Sequence, residues 1–412
     1  LTLTGCSGGG PLARPSALSG VDAAGTKGQR PADASDWTVF VYMAADNSLS
    51  DFAAADINEM EAGLTTDRVK VVVLVDQAAQ GDSRIIEIKH DPKGLNDTIV
   101  SPTVDDGGAV IPANKELDTG DPQTLEKFVA WGAKHYPARR TMFVPWNHGG
   151  GAFAVQQHLK SFCWDDSSGH SLNLVDFWRV AQRMSAKQKF DIIGFDMCLL
   201  GHIETAWQLR DLGDFLVSSE KTEPGDGWDH QAVMRALSKN PTISPRELSA
   251  EIVKGYSNFY KGSDEPTAIS SMDLQKVKDR LVPAVNALAQ DLQVKLGQSS
   301  TRGGFQAITQ QAAQMTSVGD GEEQAIDLGL MATLITKSPS MDPATKQAAA
   351  KVLTELQRAT VLNVSQKIQP GLYTGLKIYM DPNGFNADYA NASHQSFGTS
   401  AWAKLLKSFF KV

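Results

Sequence analysis

Four predominantly apolar runs, each followed by polar and helix-forming residues, constrain the fold of this chain most strongly. They are rich in β-branched and aromatic side chains and cover residues 37–43, 69–75, 141–146 and 190–195. Strands of alternating polarity have one exposed face, whereas continuously apolar strands are buried on both faces. Because segments with helical periodicity separate the runs, the pattern predicts an α/β fold, a mostly parallel sheet flanked by helices on both faces.

The pattern changes along the 412 residues of the chain. After about residue 240 it becomes mainly helical, with helices predicted at 245–261, 274–297, 304–315, 325–337 and 343–362. An apolar run near 371–380 predicts a strand that could rejoin the main sheet. We therefore divide the chain into a tether at 1–35, an α/β domain at 36–240 and a mainly helical C-terminal region at 241–412.

Two of the buried runs end in loops with reactive side chains. The third run leads into Asn147-His148-Gly149-Gly150-Gly151, and the fourth leads into Asp196-Met197-Cys198. The carboxyl ends of parallel strands share one edge of a sheet, where open α/β sheets hold their sites. An imidazole and a thiol at the same edge are the two groups that catalysis by a cysteine nucleophile with a proton-transfer partner requires.

The residues around this pair leave alternatives open. A helix is predicted at 199–212, so Cys198 would lie at a helix N-terminus, where the macrodipole lowers the pKa of a thiol. The alternative is a buried structural cysteine. The glycines after His148 let a substrate backbone approach, although a plain turn or a phosphate loop would also use them. With only three cysteines a disulfide-stapled fold is excluded, and Cys163 is expected to be free like Cys198.

Charge and hydropathy exclude two broad classes of function. The net charge is -8 and no basic face stands out, so nucleic acid is not an expected partner. No apolar run reaches about 18 residues, so no spanning helix is predicted. No EF-hand-like or zinc-ligand spacing occurs, so we assign no metal ligands from the sequence.

The first residues carry a separate signal. The tetrapeptide Leu3-Thr4-Gly5-Cys6 resembles the bacterial lipobox, and a Gly-, Ala-, Ser- and Pro-rich stretch follows it to about Ser35. This resemblance implies a lipid on Cys6 and a location at the bacterial cell envelope, on the periplasmic side or the cell surface. The alternative is an unmodified cysteine in a polar tail. The charged and apolar parts of a signal peptide do not precede the box, so we expect the printed chain to be part of a longer precursor.

The ordered set of motifs resembles the clostripain-like cysteine peptidases, which share a fold group with caspases, legumains and gingipains. The set comprises the His148 block, the Asp-x-Cys block about fifty residues later, and Glu220-x-x-Glu223-Pro224-Gly225-Asp226-Gly227-Trp228. Three further segments fit that family: 37–47, Gly120-Asp121-Pro122-x-Thr124-Leu125 and Cys163-Trp164-Asp165-Asp166-Ser167-Ser168. The resemblance is dense over about residues 36–235 and thin as far as Tyr379. It implies a caspase-like fold.

The resemblance also implies an activity, that of a cysteine endopeptidase that cuts after Arg or Lys. Cys198 would attack the scissile carbonyl, His148 would protonate the leaving amine, and the amides of Gly149 and Cys198 would hold the oxyanion. Asp196 and Asp226 match the acidic positions of the P1 pocket, where a cation stabilises a buried carboxylate. A helix cap for Asp196 and an Asp-Gly turn for Asp226 are the alternative interpretations.

Three further expectations come from the resemblance. Family members often cut themselves between the two blocks, which implies self-cleavage after Lys160, although a solvated loop lysine is the alternative. Some relatives need calcium, so calcium is expected on that ground alone. The expected partners are proteins or peptides with Arg or Lys at P1, and a membrane reached through the lipid on Cys6.

Two rival hypotheses belong to other classes of protein. One is an inactive, membrane-tethered binding scaffold of the same fold, which the intact pair of His148 and Cys198 argues against. The other is a nucleotide-binding or hydrolase domain on the same type of sheet, which would respond to nucleotides and not to peptide inhibitors.

Overall fold

A computed structural model of the protein describes residues 34–151, 162–185, 189–316, 324–381, 384–390 and 396–411. Twelve strands lie within these ranges: β1 (Ser35–Ala45), β2 (Val69–Gln77), β3 (Arg84–Glu87), β4 (Ala138–Trp146), β5 (Phe162–Asp165), β6 (His170–Leu172), β7 (Phe190–Gly194), β8 (Gly213–Ser219), β9 (Thr267–Asp273), β10 (Ala325–Asp327), β11 (Thr360–Gln366) and β12 (Lys377–Tyr379).

The described part of the chain also contains twelve α-helices. They are α1 (Ser50–Gly63), α2 (Pro122–His135), α3 (Leu174–Ser185), α4 (Ile203–Leu209), α5 (His230–Lys239), α6 (Pro245–Phe259), α7 (Leu274–Lys276), α8 (Val282–Lys295), α9 (Ser299–Thr316), α10 (Leu328–Lys337), α11 (Pro343–Ala359) and α12 (Ala401–Phe410). A short π-helix, Val277–Leu281, joins α7 to α8. None of the helices within the described ranges combines the length and apolarity that crossing a membrane requires.

One eight-stranded sheet organises the molecule, in the spatial order β11-β9-β8-β7-β4-β1-β2-β3. The five consecutive strands β8, β7, β4, β1 and β2 pair in parallel. The outer strands β3, β9 and β11 pair antiparallel with their neighbours. The prediction of a mostly parallel α/β sheet is therefore confirmed, and the carboxyl ends of β4 and β7 lie side by side.

Alternating side chains of the central strand divide the core into two layers. Phe40 and Tyr42 of β1 belong to a cluster with α2, α3, α4 and the C-terminal helices. Val39 and Val41 belong to a second cluster with α1, α5 and α6. All four of these side chains are buried. Because successive residues of a strand point to opposite faces, a continuously apolar strand requires helices on both sides, as the sequence predicts.

The last third of the chain departs from the predicted strand pairing. The strand expected near 371–380 is β12, which pairs with β10 in a separate two-stranded sheet and does not rejoin the main sheet. The position beside β9 is taken by β11, whose residues were predicted in part as the end of a helix. Residues 362–365 alternate apolar and polar side chains, which is the period of a half-buried edge strand.

Residues on both sides of position 240 build the main sheet. Strands β9 and β11, which follow that position, complete one of its edges. The first core cluster also joins strand residues such as Phe143 to helix residues such as Leu288 of α8 and Trp402 of α12. The predicted division at residue 240 therefore does not coincide with an edge of the sheet or of the core.

Helix starts follow from local side-chain chemistry. The carboxylate of Asp121 accepts a hydrogen bond from the Gln123 amide, and Pro122 occupies the first turn of α2, as the Asp-Pro pair predicts. Ser244 and Glu247 form a reciprocal capping box at the start of α6. These caps satisfy amides that have no partner inside the helix.

The shared core predicts that truncation in α8 destabilises the whole sheet. Leu288 is fully buried, whereas Val294 of the same helix is 85% exposed. We expect Leu288→Ala to lower the free energy of unfolding by about 2–5 kcal/mol, because it removes buried methyl groups and leaves a cavity. Val294→Ala is the matched control and should change it by less than about 0.5 kcal/mol.

Urea unfolding followed by tryptophan fluorescence and by far-UV circular dichroism measures both effects. A Leu288→Ala protein whose sheet unfolds at the wild-type urea concentration would contradict a common core.

Candidate active site

The loop after β4 is fixed by an asparagine. The Asn147 side-chain amide donates hydrogen bonds to the carbonyl oxygens of Ala44 and Trp164, the latter at 3.0 Å. Its backbone amide donates to the Asp196 carbonyl oxygen at 3.4 Å. The turn that begins at Asn147 is therefore tied to the ends of β1, β5 and β7, and it presents His148 at the edge where these strands end.

The imidazole of His148 is half-buried and contacts two side chains. Its Nε2 atom lies 2.9 Å from the hydroxyl oxygen of Ser48, and its ring centroid lies 6.2 Å from that of Trp164 in an edge-to-face arrangement. Burial lowers the pKa of His148, and the carboxylate of Asp166 opposes that shift. The ring is therefore largely neutral at pH 7, which is the form that accepts a proton.

The structure places Cys198 differently from the helix terminus that the sequence predicts. The helix α4 begins only at Ile203, and the chain after Cys198 forms a turn in which Leu199 has a φ of 61°. A helix forms within the predicted range 199–212, but its predicted start directly after Cys198, and with it a helix dipole at the thiol, is wrong. The segment is apolar enough for a helix, but a left-handed residue and a hydrogen bond from the Leu199 amide to the Lys221 carbonyl hold it as a turn.

The sulfur of Cys198 lies among backbone amides. The Glu223 amide donates to Sγ at 3.3 Å. Burial raises the pKa of the Cys198 thiol from its ordinary value, whereas hydrogen bonds from the amides of Glu223, Gly149 and Cys198 itself act in the opposite direction. The net shift is upward, so the uncharged thiol predominates at neutral pH.

The two loops touch through a glycine. A Cβ atom on Gly149 would overlap the carbonyl oxygen of Cys198 and the side chain of Leu200. Gly149 also forms an antiparallel bridge with Phe162 at the start of β5. The residue next to His148 is thus in backbone contact with Cys198, which requires a glycine because any side chain would push the loops apart.

Asp196 does not cap a helix. One of its carboxylate oxygens accepts from the Trp228 amide at 3.1 Å, and the other lies 2.8 Å from Nε2 of His230. The same His230 nitrogen lies 3.6 Å from Asp56. All three side chains are buried, so the capping interpretation of Asp196 is wrong and its carboxylate belongs to an internal charge network.

The charge of His230 depends on these carboxylates. Burial alone would lower its pKa, but the hydrogen bond to Asp196 and the charges of Asp56, Asp196 and Glu59 raise the pKa of His230 to about 9. The imidazole is therefore protonated at neutral pH and compensates the buried carboxylates. A sequence pattern does not reveal this residue, because His230 and Asp56 come from different helices.

A second buried carboxyl group stands beside the thiol. Neither side-chain oxygen of Glu223 accepts a hydrogen bond from a described residue. Burial raises the pKa of Glu223 well above its usual range, and the charges of Asp196 and Cys198 and a hydrogen bond to the Asp196 carboxylate, which the protonated acid would donate, raise it further. The buried hydroxyl of Tyr256 also has no partner within the described ranges. Since such groups destabilise a folded protein unless they are paired, they indicate a site for a polar ligand.

Asp226 lies on the surface of the same loop. It is exposed, and the turn around it is closed by a hydrogen bond from the Gly227 amide to the Pro224 carbonyl at 3.0 Å. Gly227 has a φ of 56°, a conformation that glycine adopts readily. The position thus has the features of an Asp-Gly turn, and the exposed carboxylate remains available at the rim of the loop.

Two groups of side chains have the spacing of metal ligands in the part of the chain that the structure describes. One is Asp56, Asp196 and His230, in which the protonated imidazole already supplies a positive charge. The other is Asp46, Asp76 and Asp165, which contains only oxygen ligands. The second set fits calcium, because calcium binds carboxylate oxygens and the set holds no positive charge of its own.

The sequence profile of the Clostripain family matches residues 41–409, which is most of the chain. The chain belongs to the clostripain family. Clostripain of Hathewaya histolytica is 27% identical over 223 residues, which are 48% of this chain and 41% of that protein. The match therefore spans less than half of the length of that relative.

Two solved structures share the fold of this clostripain-family chain. A secreted C11 cysteine protease from Bacteroides thetaiotaomicron, in complex with an irreversible peptide inhibitor, has a TM-score of 0.62 at 21% identity and covers 90% of this chain and 99% of its own. An inactive zymogen C11 protease from Parabacteroides distasonis has a TM-score of 0.63 at 16% identity, with coverages of 90% and 98%. The likeness confirms the caspase-like fold with a helical C-terminal portion.

Among the remaining predicted positions of this clostripain-family chain, the structure describes Cys163 but not Cys6 or Lys160. Cys163 and Cys198 are free thiols, as predicted, and burial raises the pKa of the inaccessible Cys163 far above its usual range. Cys6 and Lys160 lie outside the residues that the structure describes.

The raised thiol pKa gives a pH dependence for alkylation. We expect the rate constant for modification of Cys198 by iodoacetamide to rise about tenfold per pH unit from about pH 6 to about pH 8, because the thiolate fraction grows below the pKa. The Cys198→Ala protein retains only the buried Cys163 among the described cysteines and reports the background. A rate constant that does not change over this pH range would mean that Cys198 is already a thiolate, and would contradict the raised pKa of its thiol.

Proposed function

We propose that this protein is a cysteine endopeptidase that cleaves after Arg or Lys, with Cys198 as nucleophile and His148 as proton-transfer partner. The observation that carries the proposal is the thiol of Cys198, which lies among backbone amides and beside a buried carboxyl group without a partner. Membership of the clostripain family supports the same chemistry.

The proposed reaction begins with an uncharged thiol and an uncharged imidazole. His148 takes the proton of Cys198 as the sulfur attacks the scissile carbonyl carbon, and the oxyanion forms near the amides of Gly149 and Cys198. His148 then gives the proton to the leaving amine, which departs and leaves a thioester on the sulfur. Water hydrolyses the thioester and restores the thiol. The free protein favours this uncharged starting state, because burial lowers the pKa of His148 and raises that of Cys198.

Ser48 has a positioning role in this proposal. Its hydroxyl lies 2.9 Å from Nε2 of His148, so it restricts rotation of the ring. The sequence gives no signal for it, since serine after a strand most often marks a turn or a helix cap. The Asn47 side chain holds the same turn through a hydrogen bond to the Trp164 carbonyl at 2.9 Å.

The basic preference rests on three carboxyl groups. The carboxyl group of Glu223 accepts no hydrogen bond from a described residue, and the backbone amide of the same residue contacts the thiol, so in our proposal this carboxyl group receives the cationic P1 side chain. Asp196, which is paired with His230, adds negative potential behind it. Asp226, which is exposed on the loop that follows Glu223, adds a further negative charge in our proposal. A cationic P1 side chain favours the charged form of Glu223 and pairs with it, whereas a neutral side chain gives no such stabilisation and is bound more weakly.

A peptide-library digest tests both the reaction and the preference. We expect the wild type to cut after Arg or Lys and Cys198→Ala to be inactive. Glu223→Gln should reduce kcat/KM for basic P1 residues by about 10- to 100-fold, since a charge-assisted hydrogen bond stabilises binding by about 1.5–3 kcal/mol. Glu265→Gln, at an exposed glutamate, is the matched control.

The outcomes separate the parts of the proposal. Digestion by Cys198→Ala at the wild-type rate would exclude thiol chemistry at this residue. An unchanged preference in Glu223→Gln would exclude only the role of Glu223. Failure of the wild type to react with an Arg- or Lys-directed thiol-reactive inhibitor would favour an inactive binding scaffold.

We also propose self-cleavage after Lys160 and a membrane tether at the cell envelope through a lipid on Cys6, both supported by sequence motifs alone. Intact-mass spectrometry of protein extracted from its host's membranes tests both. Two chains that separate after Lys160, with an acylated first chain, are expected. A Lys160→Ala protein should stay in one chain, and a mass without added acyl groups would exclude the lipid.

A further inference from the structure

A pair of buried acids lies beside the nucleophile turn, residues 198–201, where the main sheet meets the C-terminal region. Glu220 directly follows β8, whereas Asp327 ends β10 and caps the start of α10. The two residues are 1% and 0% exposed. Neither has a role in the proposed reaction or in the proposed P1 site, so their burial needs a separate explanation.

The hydrogen-bond donors around this pair show which carboxyl group is charged. Asp327 accepts from the Leu330 amide at 2.5 Å, and from the Thr374 amide and hydroxyl at 2.7 Å and 2.9 Å. Glu220 accepts from the Gly375 amide through Oε1, whereas its Oε2 accepts no hydrogen bond from a described residue. Since donors stabilise the charged form of a carboxyl group, Asp327 is the carboxylate and Glu220 is the group that can hold a proton.

The two carboxyl groups are joined by a hydrogen bond, which requires one proton between them because ionised carboxylates only accept. Burial raises the pKa of Glu220 well above its usual range, and the charge of Asp327 and this hydrogen bond raise it further. The Gly375 amide and the charge of Lys377 oppose that rise. At neutral pH the pair therefore consists of one acid and one carboxylate.

Other charged side chains lie at the same junction. Lys377 of β12 is fully buried and faces Glu220. Its backbone forms a bridge with that of His202, which is buried at the start of α4 and lies 3.9 Å from the Glu204 carboxylate. Lys221, the residue after Glu220, is also buried. Loss of the shared proton therefore adds a negative charge in a place without solvent, which is unfavourable.

The residues on either side of Glu220 hold the nucleophile turn. The Leu199 amide, one residue after the thiol, donates to the Lys221 carbonyl at 3.2 Å. The Gly201 amide donates to the Ser219 carbonyl at 2.7 Å. A Cβ atom on Gly201 would lie 2.7 Å from the amide nitrogen of Glu220 and 2.9 Å from its Cγ atom. A displacement of Glu220 must therefore displace the turn as well.

The C-terminal region contacts the same turn. The Lys377 amide donates to the Gly201 carbonyl at 2.8 Å. Three residues earlier in the chain, Thr374 donates to Asp327. The hydrogen bond between Asp327 and Glu220 thus joins this segment to the residues that hold the turn.

We propose that Glu220 and Asp327 form a positioning pair for Cys198, which holds the nucleophile turn while the two groups share one proton and releases it in alkaline solution. The proton passes from Glu220 to hydroxide, which becomes water, and the two adjacent carboxylates then repel each other. The effect on catalysis rests on the proposed peptidase function, whereas the shared proton and the release of the turn do not.

Glu220→Gln distinguishes a shared proton from an ordinary ion pair, because the amide donates to Asp327 as the protonated acid does and cannot ionise. In the Cys198→Ala background, which cannot process itself under the proposed mechanism, the Tm of Glu220→Gln should rise relative to that of the parent by about 2 °C per pH unit from about pH 6 to about pH 8. The folded parent binds a proton that its unfolded form has lost, so its stability falls as the pH rises. Glu265→Gln, at an exposed glutamate, is the matched control and should show no such trend.

Hydrogen exchange of the Cys198→Ala parent reports the turn without any need for activity or for a second variant. We expect the amides of residues 199–201, corrected for intrinsic exchange, to lose about tenfold in protection between about pH 7 and about pH 9.5. The same amides should stay protected in Glu220→Gln.

In the active wild type, kcat should fall in alkaline solution while KM changes little, because the pair positions the nucleophile and does not bind the peptide. Glu220→Gln should remove this fall and keep most of the wild-type kcat at neutral pH. Glu220→Ala, which takes a donor from Asp327, should lower kcat by about 10- to 100-fold at neutral pH, since small displacements of a reacting group have effects of this size.

Two results would overturn the proposal. If the Tm of Glu220→Gln falls relative to that of the parent as the pH rises, Glu220 is an ion-paired carboxylate and holds no proton. If the parent keeps the protection of residues 199–201 in alkaline solution, the pair does not control the turn. An inactive wild type that shows both pH effects would support the positioning pair and overturn only the peptidase function.

Discussion

The parallel pairing of β4 with β7 is the constraint on which the candidate site depends. It brings together two loops that lie about fifty residues apart in the sequence, through the registered pairs Met142 with Ile192 and Phe143 with Ile193. A bridge between Trp146 and Asp196 continues the pairing to the ends of the strands. Beyond that point the backbone itself makes the contact, because Gly149 packs against the carbonyl of Cys198.

Buried carboxylates surround this junction on two sides, and the structure compensates them differently. Asp196 and Asp56 share the protonated imidazole of His230, which comes from the protein itself. Glu223 accepts no hydrogen bond from a described residue, so no comparable internal cation pairs with it there. Burial of an unpaired acid lowers stability, so the retention of Glu223 next to the nucleophile is explained if the cationic side chain of a substrate completes it.

The sequence predicts those features that depend on local periodicity. The central strands follow from their continuously apolar runs, and the start of α2 follows from Asp121 and Pro122. The meeting of the Gly149 and Cys198 loops follows from adjacent strand ends. These features could be predicted because each is encoded within a few neighbouring residues or in the general rules of parallel sheets.

The errors have a non-local origin. The residues after Cys198 are apolar enough to predict a helix, but they form a turn that is held by the hydrogen bond from the Leu199 amide to the Lys221 carbonyl. The edge position beside β9 is taken by β11, whereas β12 pairs with β10, and such long-range pairing is not encoded in either segment alone. His230 and Glu223 gain their roles from partners on other elements, which no single segment of sequence reveals.

The order of synthesis gives one of these long-range contacts a further meaning. The amide of Lys377 donates to the Gly201 carbonyl at 2.8 Å, and the amide of Gly375 donates to the Glu220 carboxylate. The strand ends around Cys198 are thus completed by residues that leave the ribosome long after the nucleophile. Until Lys377 has been synthesised, a nascent chain carries the nucleophile without the backbone partners that hold its loop, so the thiol acquires its final surroundings only after that point of translation.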